Sequence, residues 1–271
     1  MRGTTASVVL RVPIHVFSIL SFSSQSNTQD SANDHPNGET SMPVSGIAIV
    51  PSDLRSQLLD GLPPPDRKAI LSAATHRRFA ANSVVTNQGH PADHLFLLAK
   101  GHARHFFITD EGKKLLLRWL GPGDCFGART ILSNPCSYLA GTETITESSV
   151  MVWDRPSIRS LVDRCPRLLE NALLTASDYV TWHLTAQIGL ACYTARQRVA
   201  QVLITLARTI GKETSGGIVL SITNEELANA ANVTPFTTSR LISEWQRSGI
   251  LVKRRGKLLV RSSERLFLRT V

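Results

Sequence analysis

Apolar and polar positions follow three different rhythms along the chain. Between residues 76 and 155, short β-capable runs recur at a spacing of about ten residues. They are SVVTNQ (83–88), HLFLLA (94–99), ARHFFIT (103–109), KLLLRWL (114–120) and SSVMVW (148–153). Turn formers divide them, at Gly89-His90-Pro91, Lys100-Gly101, Asp110-Glu111-Gly112 and Gly121-Pro122-Gly123-Asp124. No helix of useful length fits between the runs, so the pattern excludes an alternating α/β sheet and predicts a β-roll or sandwich. Two short helices are predicted ahead of it, over 52–59 and 65–73, parted by LPPPD (62–66), where Asp66 can cap the second.

From Pro156 the period becomes helical. A short helix is predicted over 157–162 and a long one over 167–189, apolar on more than one side and nearly free of charge. Such a helix needs cover, from its own core or from a second subunit. Leu169, Leu173, Ala176, Val180 and Leu184 fall at steps of three and four and predict a dimer seam. A further helix over 194–210 carries Val199, Val202, Leu203, Leu206 and Ile210 on one side.

Residues 221–260 hold the sharpest local pattern. Thr223 and Glu226 form a capping box, with Ile222 and Leu227 at the staple positions, and open a helix over 224–231. Asn232 and Val233 make the turn. Thr234 caps a second helix whose first residue is Pro235, where a missing N–H costs nothing. Leu241, Ile242 and Trp245 mark that helix's buried face, and ILVKRRGKLLV (250–260) predicts two strands turning at Arg255-Gly256. Two small capped helices with a basic hairpin behind them predict a winged helix-turn-helix. The fold class is therefore α+β: an N-terminal β-roll or jelly roll over 51–165, a dimerisation helix over 166–190 and a winged helix-turn-helix over 191–271.

Charge sharpens this picture. The chain of 271 residues carries 30 Lys and Arg against 21 Asp and Glu, a formal +9. Residues 221–271 alone hold nine Lys or Arg against four acids. A polyanionic partner is expected, and the helix pair points to double-stranded DNA. Arg240 can read a guanine through its fork, Ser239 can donate to a base edge and Phe236 can press on a thymine methyl. Thr223, Thr234 and Thr237 suit phosphates at helix starts, and Lys253, Arg254, Arg255 and Lys257 suit the DNA backbone.

The remaining chemistry is sparse. Cys125, Cys136, Cys165 and Cys192 lie far apart with no CxxC pair, so neither metal nor cofactor is expected, and a reduced, cytoplasmic setting is. No phosphate-cradling loop or nucleophile–base pair argues for an enzyme. Residues 1–23 resemble a signal peptide only faintly, being too short and broken to span a membrane. Residues 1–50 are expected to be disordered or a mis-assigned extension, with the biological start at Met42.

The glycine-punctuated stretches QGHPADHLFLLAKGHAR and DEGKKLLLRWLGPGDCFG, the long helix and ITNEELANAANVT…TTSRLISEWQRSGIL together resemble the Crp/Fnr family over about residues 52–265. That resemblance implies a cyclic-nucleotide-binding-like roll, a homodimer and near-palindromic DNA sites. RNA polymerase and a small-molecule effector join the expected partners. It also implies a degenerate nucleotide pocket at Gly127, Ala128, Tyr138, Leu139 and Ala140. Nucleotide-binding members carry an acid where Ala128 stands, an arginine where Tyr138 stands and a hydroxyl residue where Leu139 stands. Phe236 stands where many members place a base-reading Glu. The resemblance makes haem a question for His90, His94, His102 and His105, which are expected to be surface residues. The rival reading is a small-molecule sensor or binding module whose basic tail tethers it to DNA without sequence preference.

Overall fold

The computed structural model describes residues 54–254 and 256–266. The expected extension over 1–50, Met42 within it, and Arg255 lie outside the described residues. Of the first predicted helix, the described part is a 3-10 turn, Gln57–Leu59, rather than an α-helix. Leu58 and Leu59 both enter the core, and Gly61 at φ 63° then reverses the chain ahead of the prolines. Helix α1 (Pro64–Ser72) follows, with prolines in its first turn.

Eight strands then form two antiparallel sheets. They are β1 (Thr75–Phe79), β2 (Val84–Thr86), β3 (His94–Lys100), β4 (Ala103–Ile108), β5 (Lys114–Leu120), β6 (Cys125–Phe126), β7 (Gly141–Thr144) and β8 (Ser148–Asp154). The first sheet runs β1-β8-β3-β6 and the second β2-β7-β4-β5. Apolar rhythm missed β1, β6 and β7. Strand β1 is a polar edge, and β7 reads Gly-Thr-Glu-Thr yet is buried throughout. Its polar atoms are satisfied from within: Thr86 Oγ1 donates to Thr142 Oγ1 at 2.8 Å and Thr144 Oγ1 donates to the Ala80 carbonyl at 2.6 Å. At the β3–β4 turn Gly101 has φ 90°, and a Cβ there would lie 2.4 Å from Ser148 Oγ.

Strand β3 is buried on both faces because two cores share it. Leu95 and Leu97 join Met151, Trp153, Ile158 and Leu168 on the outer side, and Trp153 Nε1 donates to the Ile70 carbonyl at 2.8 Å. Phe96 and Leu98 join Leu120, Phe126 and Val152 inside the roll. Helix α2 (Arg155–Arg164) is capped by Asp154, whose side chain accepts from Ser157 N, and helix α3 (Pro166–Cys192) follows. Helix α4 (Ala195–Thr209) opens with a Thr194–Gln197 capping box.

The C-terminal unit adds β9 (Lys212–Thr214), β10 (Gly217–Leu220), α5 (Asn224–Ala231), α6 (Pro235–Arg247), β11 (Leu251–Arg254) and β12 (Lys257–Val260). The predicted hairpin is half of a four-stranded sheet ordered β11-β12-β10-β9, because Ile218 to Leu220 pair with Leu258 to Val260. One core gathers Leu203, Leu227, Ile242 and Trp245 and also takes Trp119 from β5 and Ala186 from α3. The roll and the C-terminal unit therefore pack on each other. Among the described residues no helix is long and apolar enough to cross a membrane.

Candidate nucleic-acid interface and effector cavity

Local hydrogen bonds shape the C-terminal helix pair. Thr223 Oγ1 accepts from Glu226 N at 3.1 Å, and Glu226 Oε2 accepts from Thr223 N at 2.9 Å, closing the capping box. Thr223 also gives its hydroxyl hydrogen to Glu226 Oε2 at 3.0 Å. The donors still open at this end are thus the first-turn amides of Asn224 and Glu225. Asn232 adopts φ 48°, ψ 54°, a left-handed conformation that asparagine tolerates, and Val233 N donates to the Ala228 carbonyl at 3.0 Å. Thr234 Oγ1 then accepts from Thr237 N at 3.1 Å, and the two hydroxyls lie 3.0 Å apart.

Helix α6 buries Thr238, Leu241, Ile242 and Trp245. Its other face is open: Phe236 is 78% exposed, Arg240 is exposed, and Thr237 and Ser239 are half-buried. Lys253, Arg254 and Lys257 are exposed on the β11–β12 hairpin, which Leu251, Leu258 and Val260 anchor below. Thr223 and Thr234 are also exposed. The helix starts, the α6 face and the hairpin thus combine open amides, an apolar ring and four exposed cations (Arg240, Lys253, Arg254 and Lys257). This set can hold phosphates and probe a groove.

The seam residues of α3 form an uncovered stripe. Leu169, Leu173, Val180 and Leu184 are 49%, 69%, 58% and 60% exposed, and Ala176 is exposed among them. The opposite face buries Leu168, Ala172, Trp182 and Ala186 against the chain itself.

Two of the residues expected to line the pocket, Gly127 and Tyr138, pack against His94. Gly127 takes φ 78° at the start of a 3-10 turn, and a Cβ there would meet the His94 carbonyl at 2.6 Å and the Tyr138 ring at 3.3 Å. Tyr138 Oη accepts from His94 N and donates to the His94 carbonyl, both at 3.0 Å. Burial raises the pKa of this phenol. Ala128 and Ala140 are half-buried, and Leu139 is 67% exposed. Nearby guanidiniums are spent on carbonyls: Arg129 donates to Ser137 at 2.8 Å, and Arg155 to Thr130 at 2.9 Å and to Ser133 at 2.7 Å. Among the described residues at this corner, Arg129 and Arg155 are thus already bonded to backbone carbonyls.

Of the four histidines expected at the surface, only His90 is exposed. His94 and His102 are half-buried, and burial lowers both pKa values. His105 points into the roll because β4 alternates, with Nδ1 3.0 Å from Thr142 Oγ1 and its ring edge-on to Phe126. Burial and then Arg118 lower its pKa to about 3. Among the described residues no cluster of His, Cys, Asp or Glu is arranged to hold a metal ion. Sequence reasoning missed Arg104, Lys114 and Glu143, which form a charged group on the roll: Arg104 Nε lies 2.6 Å from Glu143 Oε1, and Lys114 pairs with the other oxygen. Their only trace in the sequence is charge at strand positions that alternation turns toward one another.

Comparison with known proteins follows the same division. Residues 76–165 match the cyclic nucleotide-binding domain, and residues 197–267 match the Crp-like helix-turn-helix domain. A CRP-like cAMP-activated global transcriptional regulator of Mycobacterium tuberculosis is 24% identical over 78% of this chain and 95% of its own length. The cyclic AMP receptor protein of Thermus thermophilus is 27% identical over 77% of this chain and 94% of its own. The solved structure of FixK2 from Bradyrhizobium japonicum superposes with a TM-score of 0.62 at 20% identity, covering 73% of this chain and 98% of that one.

Proposed function

Because the chain belongs to the Crp/Fnr family of transcriptional regulators, we propose that it acts as a homodimer on near-palindromic duplex DNA, with a nucleotide cavity that no longer serves cyclic nucleotide. The family's function is transcriptional regulation by DNA binding, not catalysis. The observation that carries the finer reading is the open face of α6, presented beside a basic hairpin and paired with an uncovered apolar stripe on α3. Residues 51–165 then serve as the effector unit, 166–190 as the dimer helix and 191–271 as the DNA-reading unit.

In this reading Arg240 and Ser239 read base edges, and Phe236 packs on a thymine methyl. Thr234 and Thr237, with the open amides beside Thr223, meet phosphates, and Lys253, Arg254, Arg255 and Lys257 track the backbone. Leu169, Leu173, Ala176, Val180 and Leu184 cover their counterparts on a second copy. Two-fold symmetry places the half-sites one helical turn apart, about 34 Å. Tyr138 excludes a cyclic phosphate, so any effector is of another kind, and RNA polymerase is the expected partner on the promoter.

Selection of duplexes from a random library at fixed salt tests this directly. The expected product is an inverted repeat with one-turn spacing that departs from the familiar family consensus where Phe236 docks. Recovery of unrelated sequences with equal affinity would reduce the chain to a sensor tethered by its basic tail.

A further inference from the structure

Arg104 joins the two halves of the chain. It stands on β4, where Nε donates to Glu143 Oε1 at 2.6 Å while Nη1 donates to Glu226 Oε1 at 3.0 Å. Glu143 is 8% exposed at its side chain and is also held by Lys114. Burial would raise its pKa, but the hydrogen bonds from Lys114 and Arg104 outweigh burial and lower it. A buried, ionised carboxylate therefore fixes the guanidinium from behind and leaves its far edge for the C-terminal unit. On that side Glu226 is the capping carboxylate of α5, with Oε2 committed to the Thr223 amide and hydroxyl. One side chain thus closes a helix cap with one oxygen and takes the roll's cation on the other. A cleft of about 240 Å³ adjoins the pair, with Phe106, Lys113 and Leu116 on one wall and Ala228, Asn229 and Val233 on the other.

The consequence is electrostatic, and it rests on the function proposed above. The start of α5 offers its open amides to a DNA phosphate, yet two acids, Glu225 and Glu226, share that first turn, and it is Glu226 whose carboxylate Arg104 reaches. Left bare, the carboxylate would repel the phosphate. Arg104 cancels it, but only while the roll is docked on α5. We propose that Arg104 is a positioning residue for DNA binding: it shields Glu226, so that affinity for the DNA backbone depends on the docking of the roll against the reading unit. Separation of the two units uncovers a carboxylate at the phosphate-facing end of α5 and weakens binding without changing any DNA-contacting side chain.

The test is a double-mutant cycle on the full-length protein, with R104Q, E226Q and the pair titrated against the selected duplex over a salt series. An unshielded charge about 6 Å from a phosphate makes R104Q about three- to tenfold weaker near 0.1 M salt, an effect that fades as salt rises. Glutamine still serves the capping box, so E226Q keeps α5 intact and binds at least as tightly as the natural chain. The double variant returns to within about twofold of the natural chain, since the carboxylate that Arg104 shields is gone and Glu225 is common to all four proteins. A merely structural loss at Arg104 would persist in the double variant and would overturn the proposal. So would an R104Q protein that binds as tightly as the natural one, or an E226Q protein that binds more weakly. A natural chain that binds no duplex would overturn the proposed function and this inference with it. Normal binding with an additive cycle would remove this inference alone.

Discussion

Replacing Leu173 and Leu184 together by glutamate should abolish the dimer while sparing the fold of each chain. The two side chains are 69% and 60% exposed, so neither belongs to the core of its own chain. Fully covering a leucine contributes about 1.5–3 kcal/mol, which scales to about 1–2 kcal/mol for each of these partly covered side chains. Two-fold symmetry repeats both sites, so removal costs the dimer about 4–8 kcal/mol before the penalty of burying carboxylates. The lower figure already weakens association about a thousandfold. Sedimentation equilibrium over a concentration series should find the natural chain dimeric and the variant monomeric, with the helical circular dichroism signal kept. Leu168→Glu is the contrasting control, because Leu168 is fully buried and its replacement should unfold the protein. A double variant that stays dimeric would show that α3 is not the seam. One that loses its helical signal would show that Leu173 and Leu184 support the monomer.

Three further outcomes follow from the same geometry. Arg240→Ala should cost about 1–3 kcal/mol on the selected site and relax preference at one base pair, whereas Lys257→Ala should weaken all duplexes alike and lower the salt slope by about 1, as competition binding would read. His105 has its folded pKa lowered from 6.5 to about 3, so below pH 6.5 the unfolded chain takes up a proton that the folded chain refuses. Stability is therefore complete above the unfolded value and falls as pH drops, by up to about 1.4 kcal/mol per unit. Urea melts at about pH 7.5 and about pH 5.5 should show this fall, and His105→Gln should flatten it. Cyclic AMP at roughly millimolar concentration should leave the melting temperature unchanged if, as proposed, Tyr138, bonded to His94, stands in for the arginine a cyclic phosphate needs; a saturable rise of a few degrees would refute that reading.

The helix starts were readable from the residues alone. Thr223 with Glu226, Thr234 with Pro235 and the left-handed Asn232 act over one to four positions, so neighbouring chemistry specifies them. The runs that became β3, β4 and β5 and the apolar stretch of α3 were readable for a similar reason: short apolar runs between turn formers, and a helical period, are local patterns. Strand β7 was not readable, because its threonines and glutamate look solvated until Thr86, Ala80 and Arg104 supply partners from elsewhere in the roll. His105 likewise reads as one more polar residue until the roll closes over it.

Local pattern by itself thus determined that this chain carries a glycine-turned roll, a long apolar helix and two capped helices before a basic hairpin. Only the tertiary structure decided that Tyr138 bonds a residue 44 positions away, and that Arg104 reaches Glu226 across 122. Caps and turns are closed by hydrogen bonds between near neighbours, whose partners the order of residues supplies. A buried charge or a tyrosine bonded across the roll depends on groups that become adjacent only when the sheets pair and the roll packs on the helices behind it, and no period along the chain encodes that meeting.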